Sequence, residues 1–572
     1  MIKKLVTCLV VLAVFSTPLF AQWSNDPAMN TAVCDLSGEQ AIPKVVSSAD
    51  FTYVSWFSSD AGNYDVRLQL YDSQGNEQWE HNGILISNHE AMTWLTDWDM
   101  TIDNENHAIL AFQDIRTGSN NIYAYRISPN GDFVWGADGI ALSNTSAFDA
   151  SPVTAVTSSG NAIIAWTSET VSFLQKISPA GDLLWGDTGI TLTGTESYSW
   201  PQIIPIENDN ILVKFYKDTG SYPYITRNVY AQRFDADGNP VWSEDTIISN
   251  AGGVSAWTQI LSIVKDHDNG FYVAWRDDRD NNMILEVYLQ HIDSDGNCTY
   301  EDNGMKVSTL PNRNRMYVQL ALPPNSDNIF AFWNEMDSNQ INRGIYGQKI
   351  SPSGERLWGD SAIAFIELSS TNVLPFAAGA SQNDAVLFYE YLLSAINTHI
   401  KAMRIDEDGN YVWPDEKVMM CSANSQKIHP DVSCFQNDQW VATWEDNRNG
   451  ANDIYAQNIN LDGTLGTNQG IYEKPDMPDF FFLANSPNPF NYQTEIQFSL
   501  NTITRLEISI YNIKGEKVKT LVKAEFNKGL HSKTWNGKDD KNQTVSSGIY
   551  FVKMKEFENN AISQVEKIMF IK

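Results

Sequence analysis

The chain has 572 residues, too many for one ordinary core, so at least two domains are expected. Charged residues make up 19% and aromatics 12%, with 18 Trp, which is the composition of a folded chain and excludes a wholly disordered one. The formal net charge of −31 repels phosphate backbones and argues against nucleic acid as a partner.

The first residues, MIKKLVTCLVVLAVFSTPLFAQ, read as a secretory signal over 1–21: Lys3 and Lys4, an apolar run, then the small Ala21. No later apolar stretch approaches the length of a membrane helix, so no integral membrane segment is expected once the signal is removed. The remaining cysteines are Cys34, Cys298, Cys421 and Cys434. An even number outside the cytoplasm permits disulfides, Cys421–Cys434 among them, and equally permits free buried thiols.

From there a phrase recurs. "LYDSQGNEQWEHNGILIS", "RISPNGDFVWGADGIALS", "KISPAGDLLWGDTGITL", "RFDADGNPVWSEDTIIS", "HIDSDGNCTYEDNGMKVS", "KISPSGERLWGDSAIAFI" and "RIDEDGNYVWPDEKVMMC" align, and an eighth copy, "NINLDGTLG", stops before its tryptophan. The turn glycines, Gly75, Gly131, Gly181, Gly238, Gly296, Gly354, Gly409 and Gly463, are 50 to 58 residues apart. Each repeat carries an extended stretch, an apolar run such as "NAIIAW" or "QWVATW", a third run such as "VYAQRF", the glycine turn and a last strand. Four strands of about 50 residues, repeated and apolar on both faces, describe the blade of a β-propeller. "QWSNDPAMNTAVC", led by Trp23, matches the piece the eighth copy lacks, so the N-terminal strand is expected to complete the last blade and remove an open sheet edge. The predicted fold is all-β: an eight-bladed propeller of four-stranded blades over 22–466, closed by the N-terminal strand. The recurrent tryptophans are expected to pack between blades.

Two further patterns repeat. An aromatic-x-acid-x-Arg sequence follows the second strand at Asp114 and Arg116, Asp277 and Arg279, and Asp446 and Arg448, with echoes at Trp333-Asn-Glu335 and Phe388-Tyr-Glu390. These pairs either pin each loop or form quasi-equivalent ligand sites. Bulky residues, Trp98, Trp200, Trp257, Tyr317 and His429, stand just before each innermost strand. Strand alternation brings both sets to one end of the ring, where the aromatics either plug blade junctions or line a site for glycan or peptide. The "DADGN", "DSDGN" and "DEDGN" turns resemble fragments of a calcium loop but lack its distal Glu consistently, and turn chemistry explains them without a metal. S-x-x-G-x-x-x-W resembles the Asp box of sialidase-like propellers, with its Gly one place early. No HExxH, GxSxG, CxxC or phosphate-binding glycine loop is present, so no catalytic residue, cofactor or metal ligand is assigned.

After a linker at 467–483 the style changes. From Ala484 onward 13 Lys/Arg stand against 9 Asp/Glu, opposite in sign to the rest. Short strands with turn signals predict a small antiparallel sandwich over 484–572. "SPNPFN", "IYNIKGEKVKTL", "TWNGKDDKNQTVSSGIYFVKM" and the terminal "KIMFIK" resemble the type A C-terminal sorting domain of the type IX (Por) secretion system, which is similar to the Ig-like domain of flagellar hook-capping proteins. The residues carrying the resemblance are Pro487, Asn488, Pro489, Phe490, Gly515, Trp535, Gly537, Gly548 and Tyr550. It implies a Bacteroidetes-like envelope, a translocon as partner, and secretion to the cell surface or beyond. The function expected on this reading is non-catalytic binding of glycan, peptide or surface protein at the loop face. The alternatives are a polysaccharide hydrolase with carboxylates in the funnel, and a passive scaffold.

Overall fold

The computed structural model describes residues 23–59, 63–91, 98–220, 224–255, 260–467, 480–486, 488–500, 504–527, 529–556 and 563–572. The signal-like residues, Trp257, Pro487 and most of the linker lie outside them. The chain divides into two units after Thr467. Among the described residues it is all-β, with a single 3-10 turn at Glu207–Asp209.

In the first unit the strands fall into antiparallel sets of four. The first is Gln40–Ser47, Phe51–Ser58, Asp65–Asp72 and Ile84–Ser87, and six more follow between Asp99 and Cys421. Those starting at Ser197 and Ser262 are joined at one pair, Val254 opposite Asp277. The eighth sheet is composite. Lys427–Val432, Gln439–Asp446 and Asp453–Asn460 are completed by Thr31–Cys34, with Ala32 opposite Tyr455.

The middle strands are buried along both faces because each sheet lies between two others. One apolar cluster packs Val54, Trp56 and Tyr71 of the first sheet on Trp23, Val33, Val441, Ile454 and Ala456 of the eighth. First strands also touch first strands of neighbouring sheets, which makes them the inner layer of a β-propeller. Side chains lace this layer together: Asp431 Oδ2 accepts from Val45 N (2.9 Å), Asp99 Oδ2 from Thr154 N (2.8 Å) and Ser262 Oγ from Leu320 N (2.9 Å).

The recurrent tryptophans tie each sheet to the next. Trp79, Trp135, Trp185, Trp242, Trp358 and Trp413 donate Nε1–H to the carbonyls of Pro129, Pro179, Ala236, Ser294, Glu407 and Leu461, at 2.9 to 3.2 Å. Tyr300 does the same through its hydroxyl to Ser351 O (2.9 Å). Every one of these acceptors sits in the next repeat's glycine turn. Gly463 shows why the turn needs glycine: its φ is +87°, and a Cβ would lie 2.7 Å from the Trp413 ring. The tryptophans stand in the connection, however, about five residues ahead of the fourth strand and not within it.

The second unit pairs a three-stranded sheet (Phe480–Ser486, Thr494–Leu500, Gly529–Trp535) with a four-stranded one (Lys517–Phe526, Thr504–Asn512, Gly548–Glu556, Ser563–Phe570). Phe490, Ile496, Phe498, Ile508, Trp535, Val552 and Phe570 are part of its core. Its first strand begins at Phe480, inside the stretch expected to be linker, because "FFFLANS" finds a partner in Thr494–Leu500.

Gly463→Ala is expected to cost the first unit well over about 1 kcal/mol in chemical denaturation, since strain and a clash coincide. Gly118→Ala, with φ +88° and no atom within 4 Å of the added methyl, should cost less. Equal losses would show that the indole contact contributes nothing.

Candidate functional site

Asp114, Asp277 and Asp446 end their second strands with side chains almost fully buried. Two residues on, Arg116, Arg279 and Arg448 fold back, each with a guanidinium nitrogen 2.6 Å from its aspartate. Each guanidinium also lies over a tyrosine of the third strand, at 3.6 Å from Tyr123, 3.4 Å from Tyr288 and 3.9 Å from Tyr455. Trp275 and Trp444 donate Nε1–H to the same aspartates at 2.9 and 3.2 Å. Burial raises the pKa of Asp446, but Arg448, Ser425 and Lys427 more than offset it and hold the carboxyl below its usual range. Beyond its aspartate each arginine ties in a more distant segment, Arg116 donating to Asp138 O (2.9 Å), Arg279 to Asn303 O (2.9 Å) and Arg448 to Asn30 Oδ1 (3.1 Å), which is the geometry of a pin. The echo at Glu335 is different, since Glu335 pairs with Arg315 of the first strand (3.0 Å).

The inner strands carry a repeated irregularity. Ile42, Ser151, Trp200, Tyr317 and His429 have φ between +49° and +54°, each at a β-bulge. A side chain from the preceding sheet's second strand holds the bulge N–H: Glu445 Oε1 for Ile42 (2.8 Å), Gln113 Oε1 for Ser151 (3.3 Å) and Thr167 Oγ1 for Trp200 (2.9 Å). Left-handed non-glycine residues are costly and persist where surroundings over-determine them. Trp200, Tyr317 and His429 therefore lie inside their strands, not before them. Tyr317 is 44% exposed with the Arg276 guanidinium 5.8 Å from its ring, His429 is exposed, and Trp200 is half-buried on the core.

Trp98 does not join them. It is buried, donates Nε1–H to Ile42 O (3.1 Å) and meets Phe57 edge-on. Asp99 receives Thr154 N as Asp431 receives Val45 N, so Trp98 corresponds to Pro430 and not to His429. One residue of slip turns a strand side chain to the opposite face, here into the junction between sheets.

Where the seventh, eighth and first sheets meet, the rim becomes ionic. His429 Nδ1 lies 2.5 Å from Glu445 Oε1, and the buried Glu445 also accepts from Asn452 Nδ2 (2.9 Å). Along Asp384–Ser394, Ala385, Leu387 and Tyr389 pack toward the sixth sheet and Val386 and Phe388 toward the eighth. That alternation puts Glu390 on the side of His429, in register with Glu445 and not with Asp446. Burial pushes the Glu390 carboxyl up to about 7, against the pull of His429. The bond to Glu445 raises the pKa of His429, opposed by burial and by Lys44. Asp99 and Asp431 are raised by burial, with Lys44 opposing. Glu445 is hidden in the sequence because it precedes the more regular Asp446. At its position Phe57, Gln113, Thr167, Arg276 and Asn334 stand in other repeats, and an acid was the available signal.

Among the described residues no group of three His, Cys, Asp or Glu side chains could hold a metal. Asp235, Asp293 and Asp406 accept from backbone N–H groups two and four residues on, inside their own turns. Cys34, Cys298, Cys421 and Cys434 are free thiols.

In the second unit, Phe490 packs on Trp535 and Phe570, at ring separations of 5.4 and 5.0 Å. Asn488 donates to Lys567 O (3.0 Å) and accepts from Met569 N (2.8 Å). The cis peptide joins Asn488 to Pro489. Trp535 Nε1–H reaches Lys538 O (3.0 Å), the Tyr550 hydroxyl reaches Ser546 O (2.7 Å), and Gly537 sits against the Phe570 ring. Gly515 and Gly548 stand in open space. The motif residues thus belong to core, turns and terminal strand.

Residues 488–560 match the model of the FlgD Ig-like domain. The chain matches no curated protein. Similar solved structures include the Dos1 propeller (11% identity, 73% of this chain and 92% of that one, TM-score 0.40). A thermostable family-43 glycoside hydrolase is 13% identical over 49% of this chain and 98% of its own, with TM-score 0.28. An α-L-arabinofuranosidase from Fusarium graminearum is 10% identical over 55% and 93%, with TM-score 0.32.

The raised Glu390 pKa gives a signed expectation. Unfolded, this carboxyl returns to near 4.5, so the folded chain binds more protons between 4.5 and about 7. Its contribution is therefore greatest below 4.5 and is lost as pH rises through 7. Glu390→Gln should flatten the fall in stability between pH 5 and pH 8, by on the order of 1–3 kcal/mol. Denaturant titrations at both pH values measure this, and identical pH dependence in variant and wild type contradicts it.

Proposed function

We propose that residues 22–466 are an eight-bladed propeller closed by the N-terminal strand, and that its inner rim binds a glycan, a peptide or another surface protein without catalysis. Residues from Phe480 onward would address the chain to the type IX secretion translocon, and so to the surface of a Bacteroidetes-like cell or its surroundings. Closure is supported by Ala32 opposite Tyr455 and by the Trp23 ring seated on Gly75, the place each other tryptophan takes on the following turn.

The observation that carries the binding reading is the bulge. Trp200, Tyr317 and His429 occupy one structural position in three sheets, in a conformation that strand residues rarely adopt. Such strain, repeated on an inner surface by large amphipathic side chains, suits recognition. A glycan and peptide array probed with the full chain should give ligands whose affinity falls about tenfold or more in Trp200→Ala or Tyr317→Ala, the loss expected for one stacking contact of about 1–3 kcal/mol. No ligand, or one indifferent to both changes, removes this reading.

Hydrolysis is the second reading, favoured by Glu390, whose carboxyl is raised to about 7, near a carboxylate-bound histidine. Release of reducing ends from a polysaccharide panel, abolished by Glu390→Gln and not by Tyr317→Ala, would favour it over binding alone.

The sorting reading rests on the ordered motifs and on the Ig-like match. Removing Phe480–Lys572 should leave the propeller in the periplasm of a type IX-competent host, measured by fractionation. Export of the truncated chain would make the second unit a passive module.

A further inference from the structure

The repeats define a register position at which a first-strand residue faces the end of the second strand. In the sixth sheet it holds Arg315 opposite Glu335, and in the eighth Lys427 opposite Asp446. All four side chains are buried, each cation provided with an anion. In the third sheet the same position holds Asp149 opposite Ser168. Asp149 is 1% exposed, and neither carboxylate oxygen has a hydrogen-bond partner among the described residues. Burial raises its pKa most and the nearby acid Glu169 adds to this, while the Ser143 and Ser168 hydroxyls, close to the carboxyl but outside good hydrogen-bond geometry, pull the other way.

Its neighbours lack partners too. Asn120 lies directly against it: Asn120 O accepts from Asp149 N (3.1 Å) and Asn120 Nδ2 donates to Asp149 O (2.5 Å). Yet Asn120 Oδ1 is unbonded in a side chain that is nine-tenths buried. Ser151, two residues along the strand, has its N–H held by Gln113 and its buried hydroxyl unbonded. A carboxylate without a counter-charge is among the least tolerable groups in a protein interior. Here the favourable neighbours are the Ser143 and Ser168 hydroxyls, and among the described residues no donor nitrogen reaches it in bonding geometry.

We infer that the slot at the junction of the second and third sheets, built from Asp149, Asn120, Ser151, Ser143 and Ser168, binds a hard monovalent cation such as Na⁺, which replaces the buried Arg or Lys of the sister repeats. Oxygen donors suit a hard cation. A single carboxylate neutralises one positive charge, whereas calcium sites ordinarily recruit several carboxylates.

The test is thermal unfolding of the full chain at pH 7.5 in NaCl against choline chloride of equal ionic strength. A bound ion raises the midpoint in Na⁺ by an amount that grows with the logarithm of its concentration. Asp149→Asn should abolish the difference between the two salts. Ser168→Lys, which supplies a cation within the chain, should abolish it as well while unfolding no earlier than wild type in choline, so the proposal survives even if Asp149→Asn fails to fold. Sodium-23 NMR linewidths, broadened by wild type and not by Ser168→Lys, read the ion directly. Identical midpoints in both salts would overturn the inference and leave Asp149 a protonated or hydrated carboxyl. Stabilisation by micromolar CaCl₂ with indifference to Na⁺ would overturn it in favour of a divalent ion.

Discussion

An indole N–H donated to a turn carbonyl of the next repeat is the interaction on which the first unit depends. Five of those carbonyls receive a second donor from the preceding sheet's third strand: Arg126, Lys176, Arg233, Lys349 and Arg404 reach Pro179, Ala236, Ser294, Glu407 and Leu461. Two donors on one acceptor, a ring packed on a glycine and an apolar face behind it fix both spacing and rotation between sheets. Between the eighth sheet and the first the parts are exchanged. Trp23 supplies the ring against Gly75, while Gln439 Nε2 supplies the donor, to Ser73 O (2.8 Å). This junction joins residues more than 360 apart in sequence, and it forms only when both ends of the unit are in place.

The inner layer solves a different problem. First strands packed against one another in an inner layer are crowded, and a bulge with a left-handed residue widens the turn at local cost. The preceding sheet offsets that cost by holding the bulge N–H, so the strain of one sheet is borne by its neighbour. Glu445 is the exceptional member of this series, because it brings a charge where Gln113 and Thr167 bring neutral oxygens. With His429 on the same carboxylate and Glu390 opposite, the rim gains a polarity that strict repetition would forbid. Departures from the repeat at Glu390 and Glu445, as at Asp149, place acids where the sister repeats carry other residues.

Much of this was legible beforehand. Repetition at 50 to 58 residues, the glycine turns and the orphaned N-terminal piece foretold the sheets and their composite eighth member. The site was read less well, for reasons of register. Trp98 and Glu390 align in the sequence one residue from their structural equivalents, because register is set by pairing with a neighbouring strand and is not marked within the repeat. The Asp–Arg pattern was visible as a pattern, but its burial under tyrosines and tryptophans depends on the neighbouring strand. Phe480–Phe482 looked like the end of a linker until pairing with Phe498–Leu500 gave it a strand.

By itself the sequence determined the architecture of the first unit and the existence of the second, since alternation, turn glycines and periodic tryptophans are local signals that each repeat states again. Tertiary structure decided which of the repeated residues are spent and which remain to act. Whether a carboxylate is pinned like Asp446, raised like Glu390 or left alone like Asp149 depends on the groups that an adjacent sheet delivers from some fifty residues away. Burial and counter-charge are properties of that meeting, and no single repeat contains them.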